Sequence, residues 1–137
     1  MCIRVYLAAP QRQPHPEQLE VRTGNVNKAG TDSFVDIRFY DPRETHSWDD
    51  DIDGDRGDRF EQNHVDHFNY YNQVCVDPCV LILTIDGSGD SPDWYCDYVE
   101  LTISGSISKT ILFKVYQWIS KDNPAMVKNC VQAAATS

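Results

Sequence analysis

An acidic loop at residues 49–58 has the clearest potential for chemistry in this sequence. It reads Asp-Asp-Asp-Ile-Asp-Gly-Asp-Arg-Gly-Asp, which gives six aspartates against a single arginine. These carboxylates repel one another unless the loop stays unfolded or gathers around a cation. Calcium takes roughly six to eight oxygen ligands, and loops of aspartate and glycine supply them as carboxylates and carbonyls. The loop therefore indicates a calcium site, against the competing interpretation of a solvated acidic loop.

The acidic loop matches only half of an EF-hand. Asp49, Asp51 and Asp53 stand at the spacing of the first EF-hand ligands and are followed by a glycine. The last ligand of an EF-hand is a glutamate, but Phe60 stands at that position and Glu61 comes one residue too late. No helical pattern flanks the loop, so we exclude an EF-hand.

Length and charge limit the classes of protein to which the chain can belong. A chain of 137 residues forms a single domain, taken here as 1–137, with a full hydrophobic core. Its formal net charge of −9 argues against a nucleic-acid partner. The same charge opposes direct adhesion to anionic lipid unless a bound calcium reverses it locally. No apolar stretch is long enough to span a membrane, so a transmembrane protein is not expected, and we expect a monomer.

The cysteines bear on the cellular compartment. They are Cys2, Cys75, Cys79, Cys96 and Cys130. The odd count predicts disulfides with one thiol left over, and the sequence leaves the pairing open. Zinc is disfavoured, because no second Cys or His pair accompanies Cys75 and Cys79. Disulfides favour an oxidising compartment, yet no leader segment precedes Cys2. Met1 therefore begins either a cytosolic protein or a chain without its leader.

Apolar and polar residues alternate with a period of two along much of the chain, which predicts an all-β fold. In the strand predicted over residues 34–40, Val35, Ile37 and Phe39 lie on one face, and Asp36 and Arg38 lie on the other. The nearly unbroken apolar run over residues 80–85 predicts a strand covered on both faces. Further strands are predicted over 3–7, 19–23, 98–103 and 111–118. Residues 41–59 carry no strand signal, and the tail after Pro124 is expected to form a short helical turn. Seven or eight short strands predict a β-sandwich.

Motifs between residues 19 and 130 follow one another in a familiar order. Val21-Arg-Thr-Gly24 leads to Lys28-Ala-Gly-Thr-Asp32, and Phe60-Glu61 is followed by Asp66-His-Phe68. The segment 86–99 reads Asp-Gly-Ser-Gly-Asp-Ser-Pro-Asp-Trp-Tyr-Cys-Asp-Tyr-Val. Together these motifs resemble the PLAT (lipoxygenase-homology) domain family.

The resemblance extends to one branch of that family. Cys79, the segments 94–100 and 115–118, and Asn129-Cys130 are similar to the stand-alone plant PLAT stress proteins. The Pro-rich segment 8–18 and the strongly acidic loop depart from the family pattern.

The resemblance implies an eight-stranded antiparallel β-sandwich that is not itself an enzyme. It implies contact with a lipid surface or a protein partner, calcium held by loops at one edge, and residence in the secretory pathway. The implied calcium ligands are the carbonyls of Gly30 and Thr31 and the carboxylates of Asp32, Asp53, Asp55, Asp58 and Asp90. Asp86 fits either a ligand or a turn residue.

Two tryptophans near these loops are candidates for contact with a membrane or partner. Trp48 stands in the acidic stretch, and Trp94 opens a predicted strand, where packing against the sandwich is the competing interpretation. The function expected is a calcium-dependent interaction module in plant stress responses. The alternatives are a metal-independent protein-binding module of the same fold and a small cyclase- or isomerase-like enzyme. The enzyme would use a pocket lined by His64, His67 or Tyr71, although no nucleophile elbow is present.

Overall fold

Two antiparallel β-sheets form the protein. A computed structural model describes residues 17–40, 47–51, 59–70, 78–103 and 109–130. The strands are β1 (Glu17–Thr23), β2 (Val35–Tyr40), β3 (Ser47–Asp51), β4 (Val65–Tyr70), β5 (Val80–Ile85), β6 (Trp94–Ile103), β7 (Lys109–Ile119) and β8 (Ala125–Lys128). One four-stranded sheet has the order β4-β1-β6-β7 and the other the order β3-β2-β5-β8. The prediction of an eight-stranded antiparallel sandwich is confirmed.

The alternating strands place their apolar residues in a core between the sheets. In β2, Val35, Ile37 and Phe39 are buried, as the alternation predicted. Residues 99, 101, 111, 113 and 115 of β6 and β7 are likewise buried. The rings of Phe39 and Phe113, from opposite sheets, lie with their centroids 5.7 Å apart. Removal of this apolar surface from water is the main force that holds the sheets together.

The strand β5 differs from its prediction on one face. Leu81, Leu83 and Ile85 are buried in the core, and Val80 is buried as well. Ile82 and Thr84, on the outer face, are only half-buried. The expectation of cover on both faces is therefore wrong for most of the strand, because a two-layer sandwich covers one face of each sheet.

Two further expectations about secondary structure are wrong. Residues 47–51 form β3, although the polar stretch 41–59 carried no strand signal. This strand pairs with β2, and the paired residues run from Asp36 opposite Asp51 to Tyr40 opposite Ser47. Backbone pairing with β2 therefore makes a strand of a segment whose own sequence does not favour one. In the tail after Pro124, residues Ala125–Lys128 form β8 instead of a helical turn, and this strand pairs antiparallel with β5. The strand predicted over 3–7 lies outside the described residues.

A disulfide closes one end of the β5–β8 pair, where β5 begins and β8 ends. Cys79 and Cys130 are bonded across a sequence separation of 51 residues, which confirms the prediction of disulfides. Asn129 N donates a hydrogen bond to the Cys79 carbonyl at 2.7 Å, so backbone and disulfide fix the tail together. Cys96 is a free thiol in the core, where burial raises its pKa. In the described part of the chain, no helix is long and apolar enough to cross a membrane.

Candidate metal centre

Turns from different parts of the chain meet at one end of the sandwich. They are residues 24–34 between β1 and β2, residues 59–64 before β4, and residues 86–93 between β5 and β6. Thr31 N donates to the carbonyl of Phe60 at 3.0 Å, and Asp32 N donates to the carbonyl of Ser91 at 3.0 Å. These turns are called the rim below.

Asp32 is in direct contact with the turn that carries Asp90. Ser91 N donates to Asp32 Oδ2 at 3.2 Å, in addition to the bond from Asp32 N. Gly89 has a φ of +88°, and a Cβ atom at Gly89 would stand 2.5 Å from Cβ of Asp32. Asp90 therefore lies in sequence between two residues that touch Asp32. Both carboxylate residues are exposed, so two of the predicted ligands come from adjacent turns of one surface.

Gly30 and Thr31 are held tightly within the rim. The Thr31 side chain is buried, and its hydroxyl donates to the carbonyl of Pro92 at 2.5 Å and accepts from Ser33 N at 3.0 Å. That hydroxyl therefore stabilises the turn, and the predicted ligand is the Thr31 carbonyl. A Cβ atom at Gly30 would stand 2.9 Å from the carbonyl oxygen of Phe60, so only glycine allows this close approach.

The acidic loop joins the rim at Phe60. The predicted ligands Asp53, Asp55 and Asp58 lie outside the described residues. Phe60 is buried and its backbone N donates to Asp66 Oδ2 at 2.8 Å, which anchors the chain where the loop ends. The link from the Phe60 carbonyl to Thr31 ties that anchor to the Asp32 turn.

The oxygen donors of the rim match calcium in type, but those described are too few to hold it alone. Among residues 17–40, 47–51, 59–70, 78–103 and 109–130, no three His, Cys, Asp or Glu side chains are grouped closely enough to hold a metal ion. Asp32 and Asp90 supply hard oxygen ligands of the kind that calcium prefers. The remainder of a calcium site would have to come from carbonyls and from the acidic loop.

Two other aspartates near the rim have structural roles. Asp86 Oδ1 accepts hydrogen bonds from Ser88 Oγ at 2.6 Å, Ser88 N at 3.0 Å and Phe34 N at 3.1 Å. These bonds, led by that from the Ser88 hydroxyl, lower the pKa of Asp86. Asp97 forms an ion pair with Arg22, with Oδ2 and Nε 3.3 Å apart. Asp86 therefore stabilises its turn, which is one of the two roles considered for it.

Trp94 is a core residue, and the expectation that it contacts a membrane or partner is wrong. Its side chain has 0% exposure, and its Nε1 donates to Thr23 Oγ1 at 2.9 Å. Its ring meets that of Phe60 edge to face, with centroids 5.3 Å apart. Trp94 is buried because side chains alternate along β6, and this position, like Cys96, faces the core. For Trp48, the backbone pairs with Phe39, and its side chain lies outside the described part.

Two exposed aromatics of the described surface lie on β7. Tyr116 and Trp118 are 54% and 43% exposed. The rings of Trp118 and Tyr95 meet edge to face at 5.5 Å. Tyr116 has a φ of 41°, and the register between β6 and β7 shifts beside it. The shift is a β-bulge or a similar irregularity of the pairing. The sequence signal for it is the break in apolar–polar alternation in Val115-Tyr-Gln-Trp118.

The histidines considered for an enzyme pocket are exposed. His64 lies on a rim turn with its Nδ1 3.0 Å from the carbonyl of Gln62. His67 lies on β4, where its Nε2 is 2.9 Å from Glu20 Oε1. Tyr71 lies outside the described residues. The two histidines are thus engaged with separate partners.

Solved structures of similar fold belong to longer chains, of which this chain matches a part. One is coral 8R-lipoxygenase, an enzyme with calcium activation via a C2-like domain. Its structure matches 82% of this chain and 16% of the lipoxygenase, with a TM-score of 0.65 and 24% identity. Alpha toxin from Clostridium absonum matches 88% of this chain and 33% of the toxin, with a TM-score of 0.61 and 16% identity. At these identities the likeness shows the fold alone.

Sequence comparison gives closer relatives. PLAT domain-containing proteins 1 and 2 of Arabidopsis thaliana are 36% and 37% identical to this chain, each over 74% of this chain and 61% of the relative. The chain thus spans about three fifths of the length of these relatives. The sequence profile of the PLAT/LH2 domain matches residues 18–129, which include the rim and all eight strands except the first residue of β1. With the motifs, the sandwich and this match in agreement, the chain belongs to the PLAT/LH2 domain family.

Proposed function

We propose that this protein is a non-catalytic calcium-binding module that docks on a lipid surface or a protein partner. The observation that carries the proposal is the contact between Asp32 and the turn of Asp90. PLAT domains mediate interactions with lipid or protein. We add a role in plant stress responses because the motifs resemble those of the stand-alone plant PLAT stress proteins.

The rim offers a defined set of oxygen atoms for calcium. The carboxylates of Asp32 and Asp90 and the carbonyls of Gly30 and Thr31 belong to turns that are hydrogen-bonded to one another. The acidic loop, with Asp53, Asp55 and Asp58, would complete the set. Bound calcium would supply positive charge at a surface where the chain carries carboxylates. This charge would allow a protein of net charge −9 to approach anionic lipid.

Calcium dependence in proteins of the same fold supports this proposal. The described calcium activation of coral 8R-lipoxygenase acts through its C2-like domain. A second structure of this fold is of a calcium-dependent 11R-lipoxygenase, which matches with a TM-score of 0.60 and 23% identity. In this chain the Asp32 turn, held by hydrogen bonds from Thr31 N and Asp32 N to the neighbouring turns, is where we propose that the ion binds.

Calorimetric titration with calcium at physiological salt tests the metal site. We expect binding heat and a rise in melting temperature, because a ligand bound only by the folded state stabilises it. Asp32→Asn should weaken calcium binding by roughly tenfold or more, because it removes a charged ligand. Glu100→Gln makes the same change of net charge on β6, outside the rim, and should leave the affinity unchanged. Absence of both binding heat and stabilisation at millimolar calcium would refute the metal site.

Pelleting with vesicles tests what the module docks on. We expect binding to vesicles that contain phosphatidylserine in calcium and release in chelator, with little binding to vesicles of phosphatidylcholine alone. Binding that is equal in calcium and in chelator would contradict the calcium switch and favour a metal-independent module. Calcium binding without any vesicle binding would direct the search to a protein partner.

We also propose residence in the secretory pathway. The Cys79–Cys130 disulfide supports this location, because disulfides persist in oxidising compartments and are rare in the cytosol. A fluorescent tag on the full natural protein in plant cells tests it. Diffuse cytosolic fluorescence would contradict the proposal.

A further inference from the structure

Ser33 carries a buried hydroxyl between two turns of the rim. In the described part of the chain, the buried polar side chains are those of Thr23, Thr31 and Ser33, and Ser33 is only 1% exposed. A hydroxyl that is removed from water needs hydrogen-bond partners, because an unsatisfied polar group in the interior costs free energy. The partners of the Ser33 hydroxyl belong to the turn that carries Asp90, and they indicate what this residue does.

On the side before Asp90, the turn is held by Ser33. Ser33 Oγ donates a hydrogen bond to the carbonyl of Ser88 at 2.8 Å. Ser88 stands two residues before Asp90, and its backbone N and its hydroxyl both donate to Asp86 Oδ1. The carbonyl that Ser33 reaches therefore belongs to a residue that is fixed by other bonds as well.

On the side after Asp90, the turn is held by Thr31. Thr31 Oγ1 donates to the carbonyl of Pro92 at 2.5 Å, and Pro92 stands two residues after Asp90. The same hydroxyl oxygen accepts a hydrogen bond from Ser33 N at 3.0 Å. The two hydroxyl residues are thus bonded to each other and to the chain on both sides of Asp90.

Asp32 lies between these two hydroxyl residues in the chain. Its backbone N donates to the carbonyl of Ser91, and its Oδ2 accepts from Ser91 N. Asp32 and Asp90 both carry negative charge on adjacent turns, so their mutual repulsion favours separation of the turns. The buried hydrogen bonds of the neighbouring residues oppose that separation. They hold the two carboxylate residues on one surface before any ligand is present.

We propose that Ser33 is a positioning residue of the calcium site, because its buried hydroxyl holds the Asp90 turn against Asp32 and so raises the affinity for calcium. This inference rests on the proposed function and assigns a role to one more residue of the same site. Ser33 acts through the turn, since its hydroxyl is already bonded to a carbonyl. Residues that orient metal ligands typically change metal affinity by roughly ten- to a hundredfold when they are lost. Ligands that are already in place also lose less entropy on binding.

Calcium calorimetry on Ser33→Ala measures this role. The substitution removes one oxygen atom and no charge, and we expect roughly tenfold weaker binding of calcium. The matched control is Thr23→Val, which also deletes one buried hydroxyl, the acceptor for Trp94 Nε1. That hydroxyl contacts neither metal turn, so the control should lose stability and bind calcium as the unaltered protein does. If Ser33→Ala does not fold, Thr31→Val replaces it, because Thr31 holds the other side of Asp90.

A double variant distinguishes positioning from a general loss of stability. If Ser33 acts by holding the turn against Asp32, its loss matters less once the Asp32 carboxylate is gone, because residues that act together are not additive. We therefore expect Asp32→Asn/Ser33→Ala to bind calcium only about two- to threefold more weakly than Asp32→Asn.

Amide hydrogen exchange gives a readout that needs no calcium. In chelator, exchange followed by NMR reports on Asp32 N and Ser91 N, which form the two bonds between the turns. Ser33→Ala should speed exchange at both amides by roughly tenfold, because one buried hydrogen bond that resists their local opening is lost. Thr23→Val should leave both rates unchanged.

The possible outcomes separate this inference from the proposed function. If the unaltered protein binds no calcium, both are refuted. If it binds calcium and Ser33→Ala binds equally well, only the inference is overturned. Equal weakening in Thr23→Val, or a full tenfold effect of Ser33→Ala in the Asp32→Asn background, would also overturn it, because the loss would then be a general one. Unchanged exchange at Asp32 and Ser91 would show that Ser33 does not hold the turn.

Discussion

Loss of the Cys79–Cys130 disulfide should destabilise the domain strongly. The bond closes a loop with a sequence separation of 51 residues, and the chain-entropy relation for such a loop gives about 4 kcal/mol at 25 °C. A domain of this size loses roughly 3–6 °C of melting temperature per kcal/mol. We therefore expect the melting temperature to fall by about 12–25 °C in the variant Cys130→Ser.

Urea unfolding of the oxidised protein and of two variants measures this effect. Cys130→Ser breaks the bond and keeps the Cys79 sulfur in the core, whereas the double variant Cys79→Ala/Cys130→Ala also removes that buried atom. The two should lose nearly the same free energy of unfolding, because constraint of the unfolded chain dominates. Amide hydrogen exchange at Ala125 and Val127 should also be faster in both variants. Without the disulfide, β8 is held by its pairing with β5 and by the burial of Ala125, the one residue of the strand that is fully buried.

A small effect would refute this reasoning. If the free energy of unfolding of Cys130→Ser is within about 1 kcal/mol of that of the oxidised protein, the disulfide does not constrain the unfolded chain as the entropy relation requires. If the double variant is much less stable than Cys130→Ser, packing of the Cys79 sulfur and not loop closure is the source of the stability.

Two more predictions concern the rim and the outer face of the first sheet. Gly89→Ala should lower the free energy of unfolding by about 1–3 kcal/mol more than Gly87→Ala, as measured by thermal unfolding. Both glycines have a positive φ, but only a Cβ at Gly89 would stand 2.5 Å from the Cβ of Asp32. Tyr98 should titrate in the ultraviolet with a pKa of about 12, because it donates to Glu20 Oε2 at 2.6 Å. The stability from that bond is full below the unfolded pKa of 10.0 and is lost as the pH rises towards 12, and Tyr98→Phe should abolish this loss.

A different result would contradict each of these two predictions. Equal melting temperatures for the two alanine variants would mean that the Asp32 turn moves aside without cost. A Tyr98 ionisation near pH 10, or an alkaline loss of stability that persists in Tyr98→Phe, would contradict the hydrogen bond to Glu20.

Strands with a periodic pattern were predictable from sequence. Residues 34–40 alternate between apolar and charged side chains, and β2 buries Val35, Ile37 and Phe39. The rim residues Gly30 and Asp32 were found through family motifs, and their contact with the Asp90 turn requires the fold.

Segments without such a pattern were not predictable. β3 contains three consecutive aspartates, and β8 has only four residues. Each is a strand because a strand beside it offers unpaired backbone groups, an influence that no local window of sequence carries. Trp94 was ambiguous for a related reason, since a tryptophan at the start of a strand faces the core or the solvent according to register.

The sequence by itself determined the class of the fold, the family and the kinds of ligand atom at the rim, because periodicity and residue chemistry are local properties. The tertiary structure decided that Cys79 pairs with Cys130, that Trp94 is buried, and that Asp32 touches the turn of Asp90. These are distances between residues far apart in the chain, and they are set by how two sheets pack and by the register of their strands.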